Sequence, residues 1–403
     1  MNKRLWVLVL VGALGYFVDI YDLVLFGMLR VRSLQDLGVP PERLLDDGVL
    51  LLNCQMAGLL LGGILWGVIG DRKGRLSVLF GSILMYSLAN IANSYVASVS
   101  NYAIFRFIAG IGLAGELGAA ITLVSETLPK EIRGYGTAIV AAVGLSGAIF
   151  AGLTTPLMPW RQAYLVGGGL GLLLLILRIG VMESTLFMHA KTANVARGDF
   201  SMLFRSKARF IKYVSCIVIG IPIWYVAGIL MTFSPEITRE LGIVGEVTAG
   251  NSIMYSYIGV AVGDLFSGFM SQWVKSRKKV VTYSMVAVGV LAVVILSLPG
   301  VTAFTFYALC ICIGFATGYW AVFVTIAAEQ FGTNLRSTVA TSVPNFVRGS
   351  VVLLTLLFRE LSNHMTLVRS AEIVGILTVV IGLLALRQLE ETHGKDLNYF
   401  EAM

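Results

Sequence analysis

Apolar stretches of about 20 residues, separated by short polar breaks, recur along nearly the whole chain. A helix of that length crosses a hydrocarbon core of ~30 Å, and inside such a core only helices or closed barrels satisfy every backbone donor and acceptor. The expected fold is therefore an all-α integral membrane protein. Of 403 residues, 57% are apolar and only 13% charged, too little charge to cover a soluble fold of this size. The residues left between the stretches are too few for a soluble catalytic domain. The net charge of +7 reads as loop charge that orients the chain in a membrane, and no nucleic-acid partner is expected. Cys54, Cys216, Cys310 and Cys312 all fall inside apolar runs, without zinc-knuckle spacing, so neither disulfides nor a bound metal are expected.

Twelve transmembrane helices are expected, at roughly 5–30, 49–69, 76–96, 101–127, 135–156, 162–182, 210–233, 248–273, 280–298, 301–327, 337–358 and 368–389. The first run continues past Asp19 and Asp22 to Arg30 with no small-residue cleavage site, so it reads as a span and not as a signal peptide. With the N-terminus inside, 20 of the 30 Lys and Arg fall on inner segments and seven on outer ones. That bias places both termini in the cytoplasm.

The longest basic and polar segment, Glu183 to Arg209, divides the chain into six helices and six. The expected organisation is a bundle over 1–182, a cytoplasmic linker over 183–209, and a second bundle with a short tail over 210–403. A repeat supports it: Glu126 and Arg133 recur as Glu329 and Arg336 at an offset of 203, and Gly62 and Gly67 recur as Gly263 and Gly268 at an offset of 201. Two pseudo-symmetric halves with substrate between them are the architecture of a secondary transporter.

After the second stretch the chain reads Gly67-Val-Ile-Gly70-Asp71-Arg72-Lys73-Gly74-Arg75. A tight turn between two spans uses the backbone freedom of Gly74, and Asp71 at the membrane edge suits the positive end of a neighbouring helix. The run resembles the signature loop of the major facilitator superfamily, with Leu76 in place of a final basic residue. The resemblance implies that Gly67, Asp71, Arg72, Gly74 and Arg75, with Glu126, Arg133, Glu329 and Arg336, form a conformational latch that does not touch substrate. In the family, the partner of Asp71 is the eleventh helix.

Ionisable groups near a bilayer centre cost at least ~2.5 kcal/mol, so each is a candidate for function. Six qualify by depth: Asp19, Asp22, Arg106, Glu116, Asp264 and Arg348. Arg178 and Glu372 lie near enough to helix ends to snorkel and are set aside. Asp19 and Asp22 are three apart and share a helix face, where two carboxylates resist ionising together and one can hold a proton. Arg106 matches Asp22 in depth, so a charge pair between them is expected, serving either proton coupling or structure. Glu116, among Gly112, Gly115 and Gly118, is a ligand or a packing hydrogen-bonder. Asp264 stands where the repeat has Gly63, and is a second titrating or cation-binding group or a structural one. Arg348, three residues from Asn345 and four from Pro344, suits a carboxylate or polyol, or else a structural pair. Trp224 and Tyr225, and Tyr319 and Trp320, are aromatic pairs that line a cavity, a core or an interfacial belt.

Gly15-Tyr-Phe-Val-Asp19-Ile-Tyr-Asp22 and Arg106-Phe-Ile-Ala-Gly110-Ile-Gly112-Leu-Ala-Gly115-Glu116 resemble the first and fourth helices of the metabolite:proton symporters within that superfamily. By this resemblance Asp22 and Arg106 are the proton-coupling pair, with Asp19 and Glu116 beside them. The fifth stretch lacks the Gly-Pro element of drug:proton antiporters, there is no Walker loop, and the three histidines form no cluster in a span. The expectation is a monomeric, non-enzymatic carrier in an inner membrane. It would need no cofactor, use the proton gradient, and import a small polar, carboxylate-bearing metabolite by alternating access, with Arg348, Asn345, Asp264, Tyr225 and Trp320 contacting it. Export of a metabolite or siderophore-like anion, and transport of a divalent metal, are the alternatives.

Overall fold

The structure, a computed structural model, describes the backbone of residues 3–73, 75–116, 133–185 and 200–394, and side-chain surroundings for 9–66, 69, 78–116, 139–178, 200–332, 335 and 338–394. The described residues are almost all helical, and their extended pairing is a single bridge between Val244 and Thr302. The first half holds α1 (Lys3–Asp36), α2 (Leu44–Lys73), α3 (Arg75–Asn93), α4 (Val99–Leu113), α5 (Arg133–Thr154) and α6 (Trp160–Thr185). The second half holds α7 (Lys207–Val218), α8 (Ile221–Tyr225), α9 (Ser234–Glu240), α10 (Ala249–Trp273), α11 (Arg277–Leu296), α12 (Ala303–Thr317), α13 (Trp320–Glu329), α14 (Thr333–Gly349), α15 (Val351–Ser362) and α16 (Leu367–Arg387).

Ten helical stretches among the described residues are long and apolar enough to cross a bilayer, and Val78–Asn93 and Val99–Leu113 are shorter apolar helices. The protein is thus a multi-pass membrane protein. Helix starts follow local chemistry: the hydroxyls of Ser98, Thr248, Ser276, Thr302 and Thr366 each accept from the amide three residues on, satisfying donors that a helix N-terminus leaves free. Leu61, Leu88, Leu153, Ile176, Phe269 and Leu353 are exposed, which in a bilayer is contact with lipid.

Three spans of the second half depart from one continuous helix. The stretch Lys207–Met231 breaks before Pro222 and continues as a π-helix over Val226–Met231. The stretch Ala303–Glu329 breaks at Gly318 and Tyr319, and Thr338–Ser362 breaks at Ser350. Pro344 lies inside α14, whose helix runs on through it to Gly349.

The repeat is visible in the packing. A Cβ added at Gly58 would stand 2.2 Å from the Phe107 carbonyl oxygen, and one at Gly110 2.1 Å from that of Gln55, so α2 and α4 cross backbone to backbone. Gly259 and Gly314 do the same for α10 and α12, at 2.1 Å from the Ile311 oxygen and 2.0 Å from the Ser256 oxygen. The halves meet where α5 and α1 pack on α10, and where α14 and α15 pack on α2.

Candidate substrate and proton site

A cavity opens between the halves. Tyr16 and Ile20 of α1 and Leu145 of α5 line one side, and α8, the π-helix, α10, α13 and α14 supply the other, including Trp224, Tyr257, Trp320 and Arg348. The π-helix turns Val226 and Ala227 toward this space, a distortion common at functional sites. The guanidinium carbon of Arg348 lies 5.9 Å from the ring centre of Trp224 and 6.0 Å from that of Trp320. Arg348 is 1% exposed, and its Nε and Nη1 have no hydrogen-bond partner among the described residues. Its Nη2 meets Asp19 Oδ2 at 3.5 Å, an ion pair between the halves. A cation between two indole faces, with donors to spare, suits a flat anion.

Asp22 and Arg106, both buried, are close enough to interact electrostatically but do not form the expected charge pair. No oxygen of Asp22 and no nitrogen of the Arg106 guanidinium has a hydrogen-bond partner among the described residues. The reason is that aromatic faces hold the cation, with Phe26 at 5.2 Å and Tyr164 at 5.6 Å, while Asp22 packs against Gly167, where a Cβ would come within 2.3 Å of Oδ1. Asn90 lies beside Asp22, and both amide groups of Asn90 and Asn93 are also buried without partners among the described residues. Asp22, Arg106 and Asn90 thus form a buried polar cluster inside the first half, the polar chamber. Buried polar groups with open valences are where ordered water is held.

Glu116 is occupied differently. Arg178 Nη1 donates to Oε2 at 3.0 Å and Nη2 to Oε1, a two-pronged pair. Setting Arg178 aside as a snorkelling residue is therefore corrected: it is 2% exposed and tied to Glu116. Gly15 lies over the pair, with room for no more than a hydrogen, since a Cβ would meet Arg178 Nη2 at 2.2 Å. Glu372 pairs with exposed Arg369 at 2.6 Å.

Three expected substrate contacts are also corrected. Tyr225 is fully buried and its hydroxyl donates to the Ala371 carbonyl at 2.8 Å. Successive residues on a helix point about 100° apart, so its neighbour Trp224 faces the cavity instead. At the break before α13, Tyr319 is likewise buried and donates to the Ile219 carbonyl at 3.0 Å, while Trp320, the first residue of that helix, lines the cavity. Asn345 donates from Nδ2 to the carbonyls of Ala114 at 3.1 Å and Thr341 at 3.3 Å, and is a contact between halves. Asp264 accepts from the Ala321 amide at 2.8 Å, capping the N-terminus that the break at Gly318 creates.

Gly74 and Glu126, and the surroundings of Gly67, Asp71, Arg72, Arg75, Arg133 and Arg336, lie outside the described residues. Glu329 is described, and forms an ion pair with Arg277. Sequence reasoning missed Arg277 as the partner of Glu329, although it stands in the basic run Lys275 to Lys279 that follows the span carrying Gly263 and Gly268. Beside it, Glu391 accepts from the Ser276 hydroxyl and from the amides of Arg277, Lys278 and His393. Partial burial raises its carboxyl, and these donors more than offset that, holding it below the ordinary range. Tyr16 was also missed, though it sits three residues before Asp19 on the same face.

At the end carrying the 37–43 loop, further ion pairs join the halves. Arg30, fully buried, reaches Glu236 at 2.6 Å and the Thr232 carbonyl at 3.2 Å, and Arg359 pairs with Asp46. Thr355 donates to Asn53 at 2.6 Å nearby. Among the described residues no three His, Cys, Asp or Glu side chains converge as metal ligands.

The family description Major Facilitator Superfamily matches residues 8–355. A protein of Haemophilus influenzae described as a metabolite transport protein is 31% identical over 216 residues, spanning 53% of this chain and 52% of that one. The 4-hydroxybenzoate transporter PcaK of Acinetobacter baylyi is 26% identical over 386 residues, 84% of this chain and 80% of that one. The niacin transporter NiaP of the same organism is 30% identical over 172 residues, 42% of this chain and 38% of that one. The match thus spans about half the length, or less, of two of these three relatives.

Proposed function

The chain belongs to the major facilitator superfamily, and on that premise we propose that it imports a small aromatic carboxylate across a bacterial inner membrane, driven by the proton gradient. The observation that carries this reading is the Arg348 guanidinium between Trp224 and Trp320 in a cavity between the halves. A carboxylate takes the free guanidinium donors while a ring takes the indole faces. 4-Hydroxybenzoate and niacin, named for two relatives, are molecules of this class.

In this reading twelve spans form two bundles, 1–182 and 210–403, joined by a cytoplasmic linker, with both termini in the cytoplasm. The bundles rock about the cavity, the Arg30–Glu236 and Arg359–Asp46 pairs close the outer side, and the motif residues from Gly67 to Arg75 act with Glu126 and Arg133 as the inner latch. Asp22, beside Arg106 in the polar chamber, carries the proton. The protein works as a monomer without a cofactor.

The test is uptake into vesicles containing the purified protein, with an imposed inward proton gradient and benzoate, 4-hydroxybenzoate, nicotinate, amino acids or sugars outside. Accumulation of an aromatic carboxylate with alkalinisation outside is the expected result. Accumulation of sugars or amino acids alone overturns the substrate class, and accumulation unaffected by the gradient overturns the coupling.

A further inference from the structure

Arg348 is the point where the two halves, the cavity and the buried acids come together. Its Nη2 holds Asp19 Oδ2 at 3.5 Å, a long contact, while Asp19 Oδ1 and Arg348 Nε and Nη1 have no partner among the described residues. Both groups are sealed from solvent, at 0% and 1% exposure. A buried guanidinium needs one anion, and the carboxylate of α1 now fills that place. A second carboxylate arriving in the cavity would leave two anions on one cation, which a buried site does not tolerate.

We infer that Asp19 and the transported carboxylate compete for the Arg348 guanidinium, Asp19 taking up one proton each time the anion binds there. The inference rests on the carboxylate reading of the cavity. The balance is closed: an Asp19 carboxylate and a proton become a carboxylic acid, the anion replaces it on Arg348, and the local charge is the same before and after. The Asp19–Arg348 contact joins α1 to α14, so the same exchange unfastens one half from the other. Binding, protonation and release of the bundles become one event. Asp22, one turn away in the chamber, passes the proton on and does not itself exchange with substrate.

The charged and titratable groups around Asp19 are Arg348 of α14, Glu116 after α4, Asp22 and Tyr16 of α1, Tyr257 of α10 and Tyr86 of α3. Glu116 is committed to Arg178, and Arg348 is the cation in contact with Asp19.

The test is equilibrium binding of benzoate, 4-hydroxybenzoate and nicotinate to the full-length protein in detergent, across pH, with protons counted by calorimetry in buffers of different ionisation enthalpy. In the wild type, one proton is taken up per anion bound, and above the titration Kd rises about tenfold per pH unit. In Asp19→Asn the uptake is lost and Kd is flat with pH, whereas Glu372→Gln, at the peripheral pair with Arg369, keeps both. Proton uptake that survives in Asp19→Asn, or disappears in Glu372→Gln, overturns the inference. Should Asp19→Asn not fold, the wild type alone decides, because binding without proton uptake also overturns it. If none of the three anions binds at any pH, the carboxylate reading fails and the inference falls with it; if they bind with no proton taken up, the inference fails alone.

Discussion

The two halves are built on one repeat and filled with different chemistry. The interior of the first half holds Asp19, Asp22, Arg106, Glu116 and Arg178, all at most 2% exposed. The second half lines most of the cavity and meets it with Trp224, Tyr257, Trp320 and one cation, Arg348. Its other deep acid, Asp264, is spent on capping α13. The glycine crossings that fix the backbone are nearly the same in each half, so duplication preserved the frame while the side chains diverged. Under the proposed function, this difference corresponds to proton handling in the first half and recognition of the transported molecule in the second, with Asp19 and Arg348 as the contact between them.

The largest expected effect is on coupling. Asp22→Asn should abolish accumulation of substrate against a gradient while exchange of internal for external substrate persists, measured in the same vesicles. If the mutant still concentrates substrate, Asp22 is not on the proton path; if exchange is lost as well, Asp22 is a structural or substrate group. Next is Glu116→Gln, which leaves Arg178 without its anion and should cost about 3–5 kcal/mol of stability, read as a lower unfolding temperature in detergent. Unchanged stability together with altered pH dependence of uptake would return Glu116 to proton handling.

How much of this was readable before the structure depends on what each residue needed. Asp19, Asp22, Arg106 and Arg348 announced themselves, because a charge inside an apolar run needs a reason wherever it points. The direction of a side chain is different information. Tyr225 and Trp224 are adjacent, and only the phase of a helix broken before Pro222 and loosened into a π-turn decides which one sees the cavity. The sequence leaves Asp264 open between a titrating and a structural group, because the helix end that it caps exists only through the interruption at Gly318, 54 residues further on. Arg178 was misjudged on depth, since the partner that holds it in the interior, Glu116, comes from beyond α4 and not from its own helix.

A smaller effect separates recognition from coupling. Trp320→Ala and Trp224→Ala should each weaken binding of an aromatic carboxylate by roughly tenfold, the scale of losing one aromatic and cation–π contact. The ratio of protons to substrate should not move. A change in that ratio would break the division between the halves. The smallest effect is that of Tyr225→Phe, which removes one buried hydrogen bond worth about 1 kcal/mol of stability and should leave KM within about twofold. A large rise in KM would put Tyr225 back in contact with substrate.

The breaks in the second half have a mechanical consequence. In the first half α1, α2, α5 and α6 run unbroken, α1 for 34 residues and α2 for 30, so a push at one end of such a rod arrives at the other. Across the cavity, the spans that carry Trp224, Trp320 and Arg348 are each jointed, at Gly220, Gly318 and Ser350. A jointed rod bends where it is jointed, and these joints lie within a few residues of the cavity-lining side chains. The stiff half is suited to act as a lever, and the jointed half as a hand that adjusts its grip while the lever swings.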